Sequence, residues 1–432
     1  METLTHVGRG LIGIAAFIGI AYACSENRRA VPWRLVGAGL LLQIICGVLV
    51  LKVDAVRAAV DAVGNMFVAI LDFNRAGSQF LFGSLITETK SFGYIFAFQV
   101  LPTIIFFSAL TSLLFYFGLL QKVVYAFAWL MSKTMKLSGA ESLSASANIF
   151  LGQTEAPLLI KPYLPTMTRS ELLAVMVGGM ANIAGAVLVA YIGMLGGEDP
   201  VARLVFAKHL ITASIMSAPA SLYIAKIMLP QTEAVDETIS VPREKIGANA
   251  LEAVAIGTSD GIKLAVNVGA MLLVFTAFIA MANAILAHGI GGWSGFNAWI
   301  GESTAGRYTT LSLQYIMGII FAPIGWLMGI DYGSLTTAGQ VIGEKTILNE
   351  FYAYGTLGNL ITKGQLPDVR AQVILTYALC GFANIASIGI QIGGIGVLAP
   401  NRRAVLAELG VKSLIGGSLC TFIGAAIAGA LT

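Results

Sequence analysis

Apolar runs along the chain predict eight membrane crossings, centred on residues 10–24, 31–51, 92–118, 171–195, 205–229, 262–288, 370–396 and 411–431. Most run close to the ~20 residues that a helix needs to cross ~30 Å of hydrocarbon. The segments between them are of other kinds. In 54–77, "DAVRAAVDAVGNMFVAILDFNRAG", charges collect on one side and Val, Phe, Ile and Leu on the other. That pattern predicts a helix lying in the membrane interface. The longest polar stretch, 230–261, reads as an extramembrane connection. "SASANIFLGQTEAPLLI" is too short and too broken to cross, and fits a re-entrant hairpin that turns at Gly152–Glu155.

An internal repeat runs beneath this pattern. "LQKVVYAFAWLM" (120–131) recurs loosely as "LQYIMGIIFAPIGWLM" (313–328), and "ANIAG" (181–185) recurs as "ANIAS" (383–387). Between the two marks lies a glutamate each time, Glu155 and then Glu350 of "LNEFYAY". Three marks in one order point to duplication. If the glutamate segments turn back without crossing, each unit crosses three times, and the second copy lies upside down relative to the first. Inverted repeats with paired broken segments are the architecture of secondary transporters, whose sites lie near the bilayer midplane.

Composition agrees with a polytopic membrane protein: 57% of the 432 residues are hydrophobic and 11% charged, with a mean hydropathy of +0.82. A soluble domain carries about 25% charged residues. The net charge of +3 is scattered over short loops, which predicts no nucleic-acid partner. With the N-terminus outside, the cytoplasmic loops hold 15 of the 26 Lys and Arg, so both termini are expected outside. Cys24, Cys46, Cys380 and Cys420 form no CxxC pair, and His6, His209 and His288 are far apart, so neither a disulfide nor a histidine metal site is expected. The first apolar stretch lacks the basic start of a cleavable signal. Without Walker, HExxH or GxSxG sequences, neither ATP-driven transport nor an enzyme of those classes is expected.

The chemistry lies in the paired segments. A carboxylate in hydrocarbon costs ~2.5–3.5 kcal/mol at a helix centre, so Glu155 is expected to face a cavity or a partner. Gln153 and Thr154 add neutral donors and acceptors. A solvated surface loop is the competing reading. Glu350, with Asn349 beside it, gains weight from its place in the repeat. Asn182 and Asn384 lie inside apolar spans and beside Gly, where unwinding would free carbonyls to bind a cation next to an amide oxygen. The plainer alternative is that each Asn hydrogen-bonds a neighbouring helix.

"GQTEAPLLIKPYL", "MTRSELLAVMVGGMANIAGAVLVAYI", "LNEFYAY" and "YALCGFANIASIGIQIGG" together resemble the concentrative nucleoside transporter family, and the resemblance runs from about Gly93 to the C-terminus. It implies a sodium-coupled nucleoside symporter of the cytoplasmic membrane, with uridine as an example of substrate. It also implies a homotrimer in the lipid bilayer, with a scaffold and a moving transport domain in each protomer. Hairpins are expected near 138–165 and 335–360. The chain then divides into 1–91 (N-terminal spans and interfacial helix), 92–137 (scaffold), 138–229 (first transport repeat), 230–334 (connection and long scaffold span) and 335–432 (second transport repeat). Carried over residue by residue, Gln153, Thr154 and Glu155 would bind the nucleobase, with Val187 packing on it. Glu350, Asn384 and Ser387 would take the ribose hydroxyls, and Phe382 would lie against the ligand. Na⁺ would be held by the side chains of Asn148 and Asn182 and the carbonyls of Leu151 and Ile183. Some family members have Ser where this chain has Asn182, and some bacterial relatives couple to H⁺ instead. A passive facilitator is the alternative of another class.

Overall fold

The computed structural model describes residues 2–92, 95–236, 238, 247–304 and 306–432, and the regular structure among them is helical. Gly93 and part of the polar connection (237 and 239–246, with Arg243 and Lys245) lie outside the described residues. The principal helices are α1 (Glu2–Ala23), α2 (Trp33–Lys52), α3 (Asp54–Phe82), α4 (Leu101–Tyr116), α5 (Leu119–Met135), α6 (Gly139–Ala147), α7 (Arg169–Ala181) and α8 (Gly185–Gly196). They continue as α9 (Pro200–Met228), α10 (Ala250–Ala284), α11 (Leu313–Leu327), α12 (Leu335–Ile347), α13 (Glu350–Thr362), α14 (Val369–Leu379), α15 (Ile385–Leu398) and α16 (Arg403–Leu431).

Among the described residues, seven helical stretches are long and apolar enough to cross a membrane, and two of the shorter apolar helices, α14 and α15, together form an eighth crossing. The 54–77 segment is a single amphipathic helix, extended to Phe82. One boundary differs from the expectation. Residues 250–261, read as part of the polar connection, are the first three turns of α10. Asn249 caps them, its Oδ1 accepting from the Glu252 N–H at 2.9 Å. Its small residues are a packing face. A Cβ on Gly257 would stand 2.7 Å from the Ser108 carbonyl, and one on Gly261 2.7 Å from the Ile105 Cα. Small residues let two membrane helices touch backbone to backbone, and α10 packs along α4 in this way.

The repeat is visible in the packing. α4, α5, the first hairpin, α7–α8 and α9 are followed in the same order by α10, α11, the second hairpin, α14–α15 and α16. α5 lies against the first hairpin as α11 lies against the second, and α8 packs on α9 as α15 packs on α16. The hairpins differ in build. The first descends as α6 and returns as a short 3-10 helix, Ala156–Ile160; the second is two full helices, α12 and α13. Three crossings per unit put the copies in opposite orientations, an inverted repeat with scaffold and transport elements.

Both broken helices unwind at their Asn-containing marks. α7 ends where Asn182 turns to extended backbone, and α14 ends at Cys380, with α15 beginning after the extended Asn384. The two breaks brace one another, since the Phe382 N–H donates to the Asn182 carbonyl at 3.1 Å. Gly381 and Gly417 leave no room there: a Cβ on either would fall within 2.8 Å of Met180. α7, α8, most of α9 and the second half of α16 form the buried centre, whereas α10 buries only a few of its residues, mainly against α4. Within that centre Lys226 of α9 donates to Glu141 of α6 and to the Ser170 hydroxyl of α7 at 2.9 Å. Glu141 also closes the capping box of α6 with Ser138. This buried pair pins the first hairpin to its own repeat.

Candidate functional site

The two hairpin tips and the restarts of both broken helices face the α4–α10 pair across one cavity of ≈ 750 Å³. Its size lies in the range of small-molecule sites, about 300–1,000 Å³. Gln153, Thr154, Glu155, Val187, Glu350, Phe382, Asn384 and Ser387 all line it, so the structure gathers every residue named above for the ligand. The opposite wall carries Ser108, Thr111 and Ser112 of α4 with Asp260, Leu264 and Asn267 of α10.

Three helix N-termini converge on this space: α8 through Ala186 and Val187, α13 through Asn349 and Glu350, and α15 through Asn384 and Ser387. A helix N-terminus presents unpaired N–H groups and a positive dipole end, which suits electron-rich ligand atoms. The caps are made within the site. Asn349 Oδ1 accepts from the Tyr352 N–H, and Asn384 Oδ1 from the Ser387 N–H, each at 2.9 Å. Glu350 opens α13, where that dipole favours a carboxylate. Its Oε2 accepts from Asn384 Nδ2 at 3.0 Å and its Oε1 from the Tyr191 hydroxyl at 3.1 Å. Each oxygen keeps lone pairs for a further donor.

On the facing tip, Gln153 Nε2 donates to Ser387 Oγ at 3.1 Å, joining the hairpin to the second broken helix. Its Oε1 is buried and unpartnered. Glu155 stands exposed in the cavity and folds back over Gly152, where a Cβ would lie 2.2 Å from the carboxylate. A second close approach explains the paired glycines of α7: a Cβ on Gly179 would lie 2.9 Å from that of Gln153.

Asn148, Leu151, Asn182 and Ile183 are all buried, and of the four Leu151 also lines the ligand cavity. Asn148 Nδ2 donates to the Ser144 carbonyl at 3.0 Å and Asn182 Nδ2 to the Gly178 carbonyl at 3.4 Å. Because both neighbours are carbonyls, each amide must turn its nitrogen to them and its oxygen away. Both oxygens are buried without a hydrogen-bond partner. A Cβ on Gly178 would come within 3.1 Å of Asn148 Nδ2, so the two carboxamides flank one glycine. An unpaired buried oxygen is costly. Neutral oxygens at the C-terminal ends of α6 and α7, beside non-helical backbone, are the donor set a dehydrated monovalent cation takes.

Sequence reasoning missed Tyr191, which holds Glu350 from α8. Its ring stacks on Tyr354 with centroids 4.3 Å apart and meets Phe351 edge-on at 4.8 Å. The available signal was a tyrosine inside the otherwise apolar "VLVAYIGML", since a buried hydroxyl needs a partner. Gln391 was missed too; its Nε2 donates to the Met176 carbonyl at 2.9 Å from a fully buried position in α15.

Residues 12–85 and 209–429 match the N- and C-terminal regions described as Na⁺ dependent nucleoside transporter, and residues 97–198 match one described as nucleoside recognition. An uncharacterized transporter of Haemophilus influenzae is 42% identical, covering 97% of this chain and 96% of its own length. The sodium/nucleoside cotransporter 1 of Rattus norvegicus is 38% identical over 97% of this chain, which spans 63% of that longer protein. The structure of CNTnw in an inward-facing substrate-bound state superposes with a TM-score of 0.87 at 38% identity, over 99% of both chains. A CNTnw variant in an outward-facing state matches equally well, with a TM-score of 0.87 at 37% identity over 99% of this chain and 98% of that one.

Proposed function

Since this chain belongs to the Na⁺ dependent nucleoside transporter family, a family with structures in inward- and outward-facing states, we propose that it is a symporter that accumulates nucleosides by coupling their entry to the Na⁺ gradient. It works in the cytoplasmic membrane as a homotrimer, with both termini outside. Gln153, Thr154 and Glu155 read the nucleobase against Val187. Glu350, Asn384 and Ser387 take the ribose hydroxyls, and Phe382 lies against the ligand. Na⁺ binds Asn148 and Asn182 with the carbonyls of Leu151 and Ile183.

The observation that carries this reading is that one short hairpin holds both halves of the chemistry. Its tip bears Gln153 and Glu155 in the cavity, and a few residues earlier Asn148 offers a bare, buried oxygen. An ion that engages Asn148 and Asn182 ties the hairpin to the break in α7, which sets the tip where the base must bind. Occupancy of one site then changes affinity at the other, which is the differential binding any coupling requires. Glu350, already held by two donors, discriminates through hydroxyls, because a ligand lacking them leaves a buried charge under-paired. The transport elements, 138–229 and 335–432, move past α4 and α10 and expose the cavity alternately to each side.

Labelled uridine uptake into proteoliposomes tests this, with an inward Na⁺ gradient against choline at fixed pH. Accumulation above equilibrium only with Na⁺ is expected. Equal accumulation in choline that follows a pH gradient would make the chain a proton symporter; equilibration without accumulation would make it a facilitator.

A further inference from the structure

The ligand groups assigned above come from the hairpins and the broken helices. The wall they move past is a stripe along α10: Ile256, Asp260, Leu264, Asn267, Val268 and Met271 all line the cavity. Spacings of three and four residues put these positions on one helix face. A wall that only closed an apolar bundle would need no charge, and a charge inside a membrane protein points to function. This stripe carries a carboxylate.

Asp260 has a loose partner. Lys263, one turn on, stands 3.2 Å away with both side chains mostly exposed, and a pair so exposed is weakly held. Across the cavity Asp260 is close enough to repel Glu155 of the first hairpin. Two carboxylates that share a space repel one another, and hydrogen-bond donors placed between them relieve the repulsion. Gln153 adds a third acceptor at this end of the cavity. It is only 7% exposed, its Nε2 is committed to Ser387, and its Oε1 is bare. An ionised carboxylate accepts and never donates, whereas the hydroxyls of Thr154, Thr111 and Ser112 serve either way. The polar groups that cannot adapt therefore call for N–H donors on the ligand.

We propose that Asp260 makes the carrier selective for nucleosides whose base bears an exocyclic amino group, cytidine and adenosine, over those with a carbonyl in its place, uridine and inosine. The amino group brings two N–H donors into the space between Glu155 and Asp260. The carbonyl turns lone pairs toward the same two carboxylates, and the single ring N–H beside it satisfies only one of them. A built-in mismatch of this kind rejects the wrong ligand as effectively as a good contact retains the right one. The inference rests on the nucleoside symport reading above and names the bases its cavity prefers. Uridine remains a substrate, but a weaker one.

Competition by unlabelled nucleosides against Na⁺-driven uptake of labelled uridine into proteoliposomes tests this. In the unaltered protein cytidine should compete about tenfold better than uridine, and adenosine about tenfold better than inosine. Using the same exchange on two ring systems separates the amino group from the size of the base. Asp260→Asn keeps the shape and offers an amide N–H to a carbonyl. Both ratios should then fall below about twofold, chiefly because uridine and inosine improve. Lys263→Gln removes only the loose partner and should leave both ratios at about tenfold or more. An unaltered protein that treats each amino and carbonyl pair alike overturns the proposal. So does Asp260→Asn that slows all four nucleosides equally with the ratios intact, as a merely structural aspartate would. Uptake that ignores Na⁺ would instead sink the symport reading, and the ratios would still decide the selectivity.

Discussion

The two hairpins answer the same architectural demand with opposite chemistry. Each must carry polar side chains to the middle of an apolar bundle and hold them against a broken helix. The second does so with two regular helices, a turn at Leu348–Asn349, an Asn349 cap and the buried Lys345. The first has a nine-residue α6, an irregular tip and a five-residue 3-10 return, and both of its key carboxamides keep a bare oxygen. Regular backbone satisfies its own N–H and C=O groups; irregular backbone within the membrane must find partners elsewhere. At its tip the second hairpin is already partnered, Asn349 capping and Glu350 held by two donors. Its bare buried oxygen, Glu344 Oε2, lies a turn earlier in α12, whereas the first hairpin has oxygens left for a ligand and an ion at Gln153 and Asn148. In a coupled carrier the incomplete hairpin is the one whose order can depend on what is bound.

The sharpest way to break this contrast is to neutralise each tip's carboxylate. Glu350 accepts from Tyr191 and Asn384 within a buried network. Glu350→Gln replaces one acceptor oxygen by a donor facing those donors and loses the charge. Charge-assisted hydrogen bonds contribute ~1.5–3 kcal/mol each, so uridine kcat/KM is expected to fall at least ~100-fold. Glu155, exposed in the cavity, is held by Thr154 and the backbone of its own turn rather than from across the fold, and should lose about tenfold on Glu155→Gln. Equal losses, measured as initial uptake rates at saturating Na⁺, would remove the distinction between a prebuilt tip and an adaptable one.

Next in size is the ion side of the first hairpin. Gly178→Ala pushes a methyl within 3.1 Å of Asn148 Nδ2, and a buried carboxamide in a packed core has little room to yield. Half-saturation for Na⁺ should rise about tenfold while uridine affinity at saturating Na⁺ stays near its original value, since coupling acts through ion occupancy. A change in uridine affinity alone would detach Asn148 from the ion. Tyr191→Phe is a smaller perturbation. It removes one donor to Glu350 and should raise the uridine KM about fivefold, and that of 2′,3′-dideoxyuridine less, since the latter makes no hydroxyl contacts.

Much of this contrast was legible in the chain. Gln153–Glu155 and Asn349–Glu350 stood out because polar residues are rare in so apolar a sequence, and the repeat placed them opposite one another. The breaks at Asn182 and Asn384 could be read from Gly and Ser beside an amide. What sequence did not give was any partnership made across the fold. Tyr191 is an ordinary aromatic until Glu350 is seen 3.1 Å away. Lys345 is not singled out by the sequence, and its role appears only when it is found donating to Thr421 and close to Phe422. The first turns of α10 misled because Glu252, Thr258, Ser259 and Asp260 make the stretch polar, whereas across the fold Gly257 and Gly261 make close helix contacts with α4.

The smallest expected effect lies where both repeats meet outside the hairpins. Glu26, in the loop after α1, accepts from Lys412 of α16 and from Arg169 of α7, and Arg169 also reaches Glu408. Lys412 foremost, with Arg169, holds the Glu26 carboxyl below its usual range. A carboxyl whose folded-state pKa is depressed adds stability that is complete above its unfolded value, about 4.3, and fades as pH falls through the lowered one. Glu26→Gln should therefore lower the melting temperature in detergent by about 2 °C at pH 7, an effect kept small by solvent screening. The difference should close as the pH falls through that lowered value, where the parent carboxyl is itself becoming neutral. Uridine uptake should not change, because this cluster touches neither hairpin tip. A loss of uptake with little change in melting would mean that the link between α7 and α16 must shift during transport, and would extend the contrast between fixed and conditional contacts beyond the hairpins.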